Sequence, residues 1–131
     1  MMDKNHFANM ARQKMMQDMA SARENFGERS GGGKKGSGFF GPLKRPDGSV
    51  STEISIGVNI DGKEREIPLI VPGLSAAELK YLLNNDPDDD DFMDRMPETI
   101  INKAVDHAAS RIKQNKSPFA LEGERFKAPK D

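Results

Sequence analysis

Apolar and polar positions alternate along residues 50–60, where the sequence reads VSTEISIGVNI. This period of two is typical of a strand with one buried face, and the apolar positions carry mainly β-branched residues, which suit a pleated surface. Asp61-Gly62 follows, a pair favoured in two-residue hairpin turns because both positions require a positive φ. A second strand is expected from Lys63 to Val71. The pattern therefore predicts a β-hairpin over about residues 50–71.

A two-residue turn fixes the register of this hairpin. It pairs Ile56 with Ile67, and the pairs farther from the turn also place mostly apolar side chains on one face. Pro68 falls opposite Ser55, at a rung whose backbone N–H groups point away from the partner strand. We therefore expect the strand Lys63–Val71 to lie at a sheet edge, from which it could extend the sheet of a neighbouring subunit.

Carboxylates occupy the positions between the apolar residues of the hairpin. Glu53, Glu64 and Glu66 are expected on its solvent face, where charge adds solubility and discourages pairing between sheet edges. The hairpin needs a cover for its apolar face, because a hairpin alone is marginally stable in water.

Two predicted helices supply that cover. Ser75 with Glu78 three residues later forms a capping box, which predicts a helix over about residues 75–84. Apolar residues at helical spacing predict another over about residues 97–115, ending near Asn115. The expected buried positions are Leu79, Leu82 and Leu83 in the first helix, and Ile101, Ala104, Val105, Ala108 and Ile112 in the second, where Ile100 and Ala109 broaden the face. These elements predict a small α+β domain over residues 45–120, followed by a polar tail over residues 121–131.

An acidic run, DPDDDD, joins the two predicted helices from Asp86 to Asp91. It does not have the EF-hand pattern, because the sixth and twelfth positions are Asp91 and Pro97 instead of Gly and Glu. Two interpretations stay open, a solvated acidic loop and a loose site for a divalent ion.

The first 26 residues predict a separate amphipathic helical arm, because apolar residues recur there every three or four positions. Six of the chain's eight methionines lie within the first nineteen residues, and methionine adapts to irregular grooves. The arm is expected to bind a partner protein, the alternatives being a disordered tail or a helix packed on its own domain. The candidate partner-binding residues of the arm are Phe7, Met10, Met15, Met19 and Phe26.

Residues 27–44 are expected to be a flexible linker, since they begin with GERSGGGKKGSG. The glycines do not have the spacing of a phosphate-binding loop, although Lys34 and Lys35 could make weak, nonspecific contacts with nucleic acid. Phe39 and Phe40 form an apolar plug at the end of this segment. The plug either packs against the hairpin or serves as a second anchor for a partner.

Composition narrows the function classes. The 131 residues are 35% hydrophobic and contain no cysteine, which excludes disulfides and thiolate metal sites. No apolar run approaches the roughly 20 residues of a membrane span, so we expect no membrane partner. Residues 1–49 carry a net charge of +4 and residues 50–131 a net charge of −5. This division indicates a mildly basic arm on an acidic domain.

Catalytic patterns are not found in the sequence. The two histidines, His6 and His107, have no cysteine to pair with, and the serines lack the spacing of a nucleophile elbow. We therefore expect no enzymatic activity, no cofactor and no metal requirement.

Residues 45–75, RPDGSVSTEISIGVNIDGKEREIPLIVPGLS, resemble a short module of tailed-bacteriophage virion proteins with a PDGS-x-ST opening, a DGKE turn and an S-x-x-E helix start. The predicted second helix is similar to the same module in its A-x-x-HA-x-x-R-I pattern and K-SPF ending. These positions are Ala104, His107, Ala108, Arg111, Ile112, Lys116, Ser117, Pro118 and Phe119. The DPDDDD run is a departure from the module.

The resemblance implies a structural protein of the virion, made in the host cytoplasm and located in the head–tail connector, the tail or the internal region. It implies portal, tail or capsid subunits as partners, with several copies in a symmetric assembly. Two other functions stay open: an inhibitor of a host protein that uses the acidic loop as a decoy, and an accessory of DNA packaging that uses the basic arm.

Overall fold

The computed structural model describes residues 26–29 and 31–130. Of the predicted arm, only Phe26 belongs to this part; Phe7, Met10, Met15 and Met19 lie outside the described residues. The described chain has two small antiparallel sheets and three helices, so the predicted α+β class is confirmed. In chain order the elements are β1 (Leu43–Lys44), β2 (Val50–Ser51), β3 (Ser55–Ile60), β4 (Lys63–Pro68), α1 (Ala76–Asn84), α2 (Phe92–Arg95) and α3 (Glu98–Lys113).

The hairpin of β3 and β4 has the predicted register. Ile56 lies opposite Ile67, and Pro68 lies opposite Ser55. The rung beyond the hairpin is hydrogen-bonded, since Leu69 N donates to the carbonyl of Ile54 at 2.7 Å. Rungs alternate along an antiparallel pair, so Pro68 sits at a rung without ladder hydrogen bonds, where its missing N–H has no consequence for the pairing.

The first strand of the predicted hairpin is not continuous. β2 pairs with β1, in a sheet separate from that of β3 and β4. Between the two strands Thr52, Glu53 and Ile54 are all buried, with 1%, 2% and 4% of their surface exposed. An alternating strand would expose one of three successive side chains, so the expectation that Glu53 lies on the solvent face is wrong. The glycine-rich segment covers Glu53, whose carboxylate binds Arg29 and Gly36.

The helices begin and end close to the predicted residues. Ser75 and Glu78 form the capping box of α1, and Asn115 has the left-handed φ of 60° expected at the end of α3. The buried face of α3 agrees with the prediction at Ile100, Ala104 and Ala108. It differs in two respects: Arg111 is buried, and Ile101, Val105 and Ile112 are only half-buried. α2 is an unpredicted short helix that follows the acidic run.

One core joins these elements, and α3 is the helix that lies against both strands of the β3–β4 hairpin. The residues before and after the predicted domain also belong to it. Phe39 is 1% exposed, and its carbonyl accepts a hydrogen bond from Phe126 N at 2.7 Å, so the polar tail returns to the core. The folded unit within the described residues is therefore longer than the predicted 45–120.

Candidate interaction surface

An ion pair between the half-buried Arg29 and the buried Glu53 holds the glycine-rich segment on the domain. Arg29 donates from Nε to Glu53 Oε1 at 2.8 Å and from Nη2 to Oε2 at 3.0 Å. Gly36 N donates to the same Oε2 at 3.0 Å, so the carboxylate binds both ends of an eight-residue stretch. A buried carboxylate requires such partners, because an unpaired one is strongly disfavoured.

Arg29 is held on a second side by an aromatic ring. Its Cζ lies 3.8 Å from the centroid of the Phe119 ring, a cation–π geometry. The hydrogen bond with Glu53 raises the pKa of Arg29 above its ordinary value, against the opposing effect of burial. The guanidinium thus links the glycine-rich segment to Glu53, which precedes β3, and to Phe119, which follows α3.

The remaining contacts of this segment explain its glycines. Gly31 N donates to Glu66 Oε2 at 2.6 Å, and Thr52 Oγ1 donates to the carbonyl of Gly36 at 2.6 Å. Gly38 has a φ of 76°, and a Cβ there would overlap the carbonyl oxygen of Thr52. The structure therefore differs from the predicted flexible linker: at least part of its glycine content permits close approach to the strands.

The three predicted partner-binding residues that the structure describes, Phe26, Phe39 and Phe40, differ in how deeply they are buried. Phe39 and Phe40 are buried in the core at 1% and 9% exposure, which is the first of the two alternatives for this plug, packing within the domain. Neither side chain is available to a partner in this state. Phe26 is half-buried at the start of the described chain, next to the segment that Glu53 binds.

A second polar cluster, on the other side of Phe119 from Arg29, forms around Arg111. Its Nε donates to the carbonyl of Ser117 at 2.7 Å, and its Nη2 donates to the carbonyl of Phe119 at 3.0 Å. Glu124 accepts from both Nη1 and Nη2 at 2.8 Å. The hydrogen bonds from Arg111, assisted by the N–H of Leu121, lower the pKa of Glu124 to about 2.

His107 lies beside this cluster and packs edge-on against Phe39, with ring centroids 4.9 Å apart. Its Nδ1 is buried and has no hydrogen-bond partner among the described residues. Burial lowers the pKa of His107, and the charge of Arg111 adds to this effect, so the site favours the neutral imidazole. The half-buried position on α3 agrees with a packing role.

The acidic run lies beside a cleft of about 420 Å³ between the β1–β2 turn and the end of α1. Arg45 spans this cleft, donating from Nη1 to Ser51 Oγ at 2.9 Å and from Nη2 to the carbonyl of Asn85 at 2.5 Å. Asp89 and Asp91 approach Arg95 at 3.9 and 3.7 Å, in solvent-exposed pairs. In residues 26–29 and 31–130, no three His, Asp or Glu side chains are grouped to hold a metal ion.

None of the helices in the described part of the chain combines the length and apolar character needed to cross a membrane. No protein-family model, no curated protein and no solved structure matches this chain. The resemblance to a phage module therefore remains a prediction based on its own residues.

Sequence reasoning did not find the residues that fasten the glycine-rich segment. Glu53 occupies a polar position of an alternating strand, where an exposed carboxylate is the ordinary expectation. The one local indication of this contact is that Arg29, which can form an ion pair, lies just before three glycines, which can approach another segment closely. No rule based on spacing pairs residues so far apart in the chain.

Proposed function

We propose that this protein is a structural component of a tailed-phage virion, in the head–tail connector, the tail or the internal region, and that it acts through contacts of its N-terminal arm with other virion proteins. The observation that carries the proposal is the ion pair of Arg29 and Glu53. It holds Arg29, near the start of the described residues, against the domain, and so would give an arm formed by residues 1–25 a fixed base.

The chemistry of the domain supports an assembly role over a catalytic one. Its most buried polar side chains, Thr52, Glu53 and Arg111, are all bound to the protein's own backbone or side chains. An active site needs polar groups that are held ready for a substrate, and these are already occupied. The buried polar groups therefore serve to join segments of the chain.

Two of the residues that carry the phage resemblance, Arg111 and Phe119, make contacts that hold the fold together. Arg111 bonds to the carbonyls of Ser117 and Phe119, and Phe119 is 6% exposed and lies under Arg29. The pattern A-x-x-HA-x-x-R-I…K-SPF thus includes the arginine of α3 and the residues after this helix to which the arginine binds. A module defined by such framework residues is suited to carrying different arms to different partners.

The test is incorporation into particles of the source phage. We expect Met15→Asp plus Met19→Asp to abolish incorporation, because two carboxylates remove the apolar stripe proposed to bind the partner. The control is Met93→Asp, a change at an exposed methionine of the domain (42% exposed), which should be incorporated normally. Far-UV circular dichroism would confirm that each variant is folded.

Quantitative mass spectrometry of washed particles reads out the result, and crosslinks from Lys34 or Lys35 would identify the partner subunit. Normal incorporation of the double variant would refute the arm as the docking element. Absence of the unmodified protein from washed particles would refute the virion role and favour a host-protein inhibitor.

A further inference from the structure

Phe39 contacts the C-terminal tail directly. Its carbonyl accepts a hydrogen bond from Phe126 N at 2.7 Å, and the centroids of the two rings are 6.2 Å apart. Arg111 approaches the same Phe39 ring, with its Cζ 5.3 Å from the centroid, and its guanidinium binds Glu124 of the tail at 2.8 Å. The tail, residues 120–130, is therefore held on the domain through Phe39 and through Arg111.

His107 lies next to both of these residues. Its ring is nearly perpendicular to that of Phe39, at 86°, with 4.9 Å between the centroids. Arg111 follows one helical turn later on α3, so the two side chains share a face of the helix. A positive charge on His107 would therefore stand beside the guanidinium, and like charges at this spacing are unfavourable.

The surroundings of His107 suit one protonation state. Its Nδ1 is buried and has no hydrogen-bond partner in the part of the chain that the structure describes. In a neutral imidazole one ring nitrogen carries no hydrogen, whereas in an imidazolium both nitrogens are donors. Nδ1 can be the bare nitrogen of the neutral form, but in the charged form it becomes a buried donor without an acceptor, which is disfavoured.

Two charges from different segments act on the imidazole. Arg111 of α3 disfavours its protonated form, whereas Glu124 of the tail favours it. Lys103, one turn earlier on α3, is bound to the carboxylate of the α1 capping box, and residues 36–43 contain no ionisable side chain. Once protonated, His107 therefore competes with Arg111 for the carboxylate of Glu124.

We propose that protonation of His107 releases the C-terminal tail, residues 120–130, from the domain. Near neutral pH the uncharged imidazole packs against Phe39 and leaves Glu124 to Arg111. In mild acid the imidazolium repels the guanidinium and attracts the carboxylate, so that the ion pair closing the tail is weakened. The inference goes beyond the proposed function, since it concerns a response of this chain to pH whatever its partner.

The pH range of the release follows from the direction of the pKa shift. Burial lowers the pKa of His107 below its ordinary value of 6.5, so the closed tail is fully stabilised above pH 6.5 and loses stability as the pH falls below that value. Glu124 stays ionised through this range, because its pKa is about 2. The release therefore begins at a higher pH than the titration of the carboxylates.

Release of the tail would also uncover an aromatic residue. Phe39 is 1% exposed in the closed state, and Phe126 is one of the residues that lie against its ring. Sequence analysis named Phe39 as a candidate residue for binding a partner. Mild acid would thus make available a side chain that the closed domain keeps from any partner.

The experiment follows the full-length chain by NMR from about pH 7.5 to about pH 5, the range in which histidine titrates. Ring resonances of His107 report its protonation, and the exchange protection factor of the Phe126 amide reports the closed tail. The Leu69 amide, which donates to the Ile54 carbonyl, reports the rest of the domain. We expect protection of Phe126 to fall on the order of tenfold, with the midpoint of the His107 titration, while protection of Leu69 stays constant.

Two matched substitutions identify the group responsible. His107→Gln keeps a polar side chain that does not titrate, so protection of the Phe126 amide should not depend on pH in this range. His6→Gln makes the same change at the other histidine of the chain, outside the described residues, and should leave the pH dependence as it is in the original chain.

Three results would overturn the proposal. They are a Phe126 amide whose protection stays constant while His107 titrates, a parallel loss at Leu69, which would mean global unfolding, and an unchanged pH dependence in His107→Gln. If glutamine itself loosens the tail at neutral pH, the original chain decides. Coinciding midpoints of ring titration and tail release then support the proposal, and separate midpoints refute it.

Discussion

Arg111 and Glu124 form a two-bonded ion pair that closes the C-terminal part of the domain, with Nη1 and Nη2 each 2.8 Å from a carboxylate oxygen. The guanidinium is largely buried, and its other bonds reach backbone carbonyls of the turn after α3. Planar guanidinium geometry matches this arrangement, and a lysine ammonium cannot reproduce it. The pair therefore orders a tail that composition alone describes as polar.

Replacing Arg111 by lysine is expected to lower the free energy of unfolding by about 2–4 kcal/mol, because Glu124 and two carbonyls lose their donors. Urea unfolding followed by circular dichroism measures the change. Arg95→Lys is the control: Arg95 is 51% exposed, and its pairs with Asp89 and Asp91 are long, so the change should stay within about 0.5 kcal/mol. Equal effects of the two substitutions would contradict the structural role of Arg111.

Glu53→Gln is expected to free the glycine-rich segment from the domain. The amide keeps one acceptor but cannot hold both nitrogens of Arg29, and a loss of about 1–3 kcal/mol follows from leaving that charge unpaired. Amide exchange should accelerate at Gly36, whose N–H binds the same carboxylate. Glu64→Gln, at an exposed carboxylate of the hairpin, should change neither quantity. Unchanged exchange in Glu53→Gln would show that other contacts suffice to hold the segment.

Stability is expected to fall as the solution is acidified below about pH 4.5. Burial opposes ionisation of Glu78, but hydrogen bonds from Lys103 and from Ser75 N–H outweigh it and lower the pKa of Glu78 to about 2. The pKa of Glu124 is also about 2. Because both values are lower in the folded chain, the stabilisation is complete above the unfolded-state pKa near 4.5 and is lost as pH falls toward 2.

The combined loss is on the order of 2–4 kcal/mol once the partial solvent exposure of Glu124 is allowed for. Urea midpoints at several pH values through this range measure it. Glu124→Gln should remove part of the pH dependence and leave the part that Glu78 contributes. A stability independent of pH across the range would show that neither carboxylate is specifically stabilised as the anion.

Ser75→Ala is expected to destabilise the domain by about 1 kcal/mol, since the Ser75 hydroxyl accepts from Glu78 N at 3.1 Å and an alanine leaves that donor unpaired. Ser110→Ala, at an exposed position in the last turns of α3, is the matched control and should have little effect. The comparison uses the same urea titration. A loss as large at Ser110 would mean that serine content, and not capping, sets the difference.

The predictions confirmed by the structure follow from local rules. Asp61-Gly62 identifies a two-residue turn, and the length of that turn determines which residues of the two strands are paired. Ser75 and Glu78 exchange hydrogen bonds within the first turn of α1. Such features depend on residues close in sequence. The sequence therefore defines the hairpin and the start of α1 well.

The errors come from contacts that are distant in sequence. The burial of Glu53 depends on Arg29 and Gly36, and the buried position of Arg111 depends on Glu124. A hydrophobic pattern places any charged residue on the solvent side, because it does not include the partner that makes burial favourable. The same limit explains why Arg111 was not among the residues expected on the buried face of α3.

The hydrogen bond between Phe126 N and the carbonyl of Phe39 has a consequence for synthesis on the ribosome. Phe39 emerges early, and its aromatic ring packs against the rings of His107 and Phe126, which are translated much later. A nascent chain therefore exposes Phe39 until nearly all of the domain has left the exit tunnel. The native core around this residue is complete only after Phe126 has left the exit tunnel, so this region is expected to fold late during synthesis.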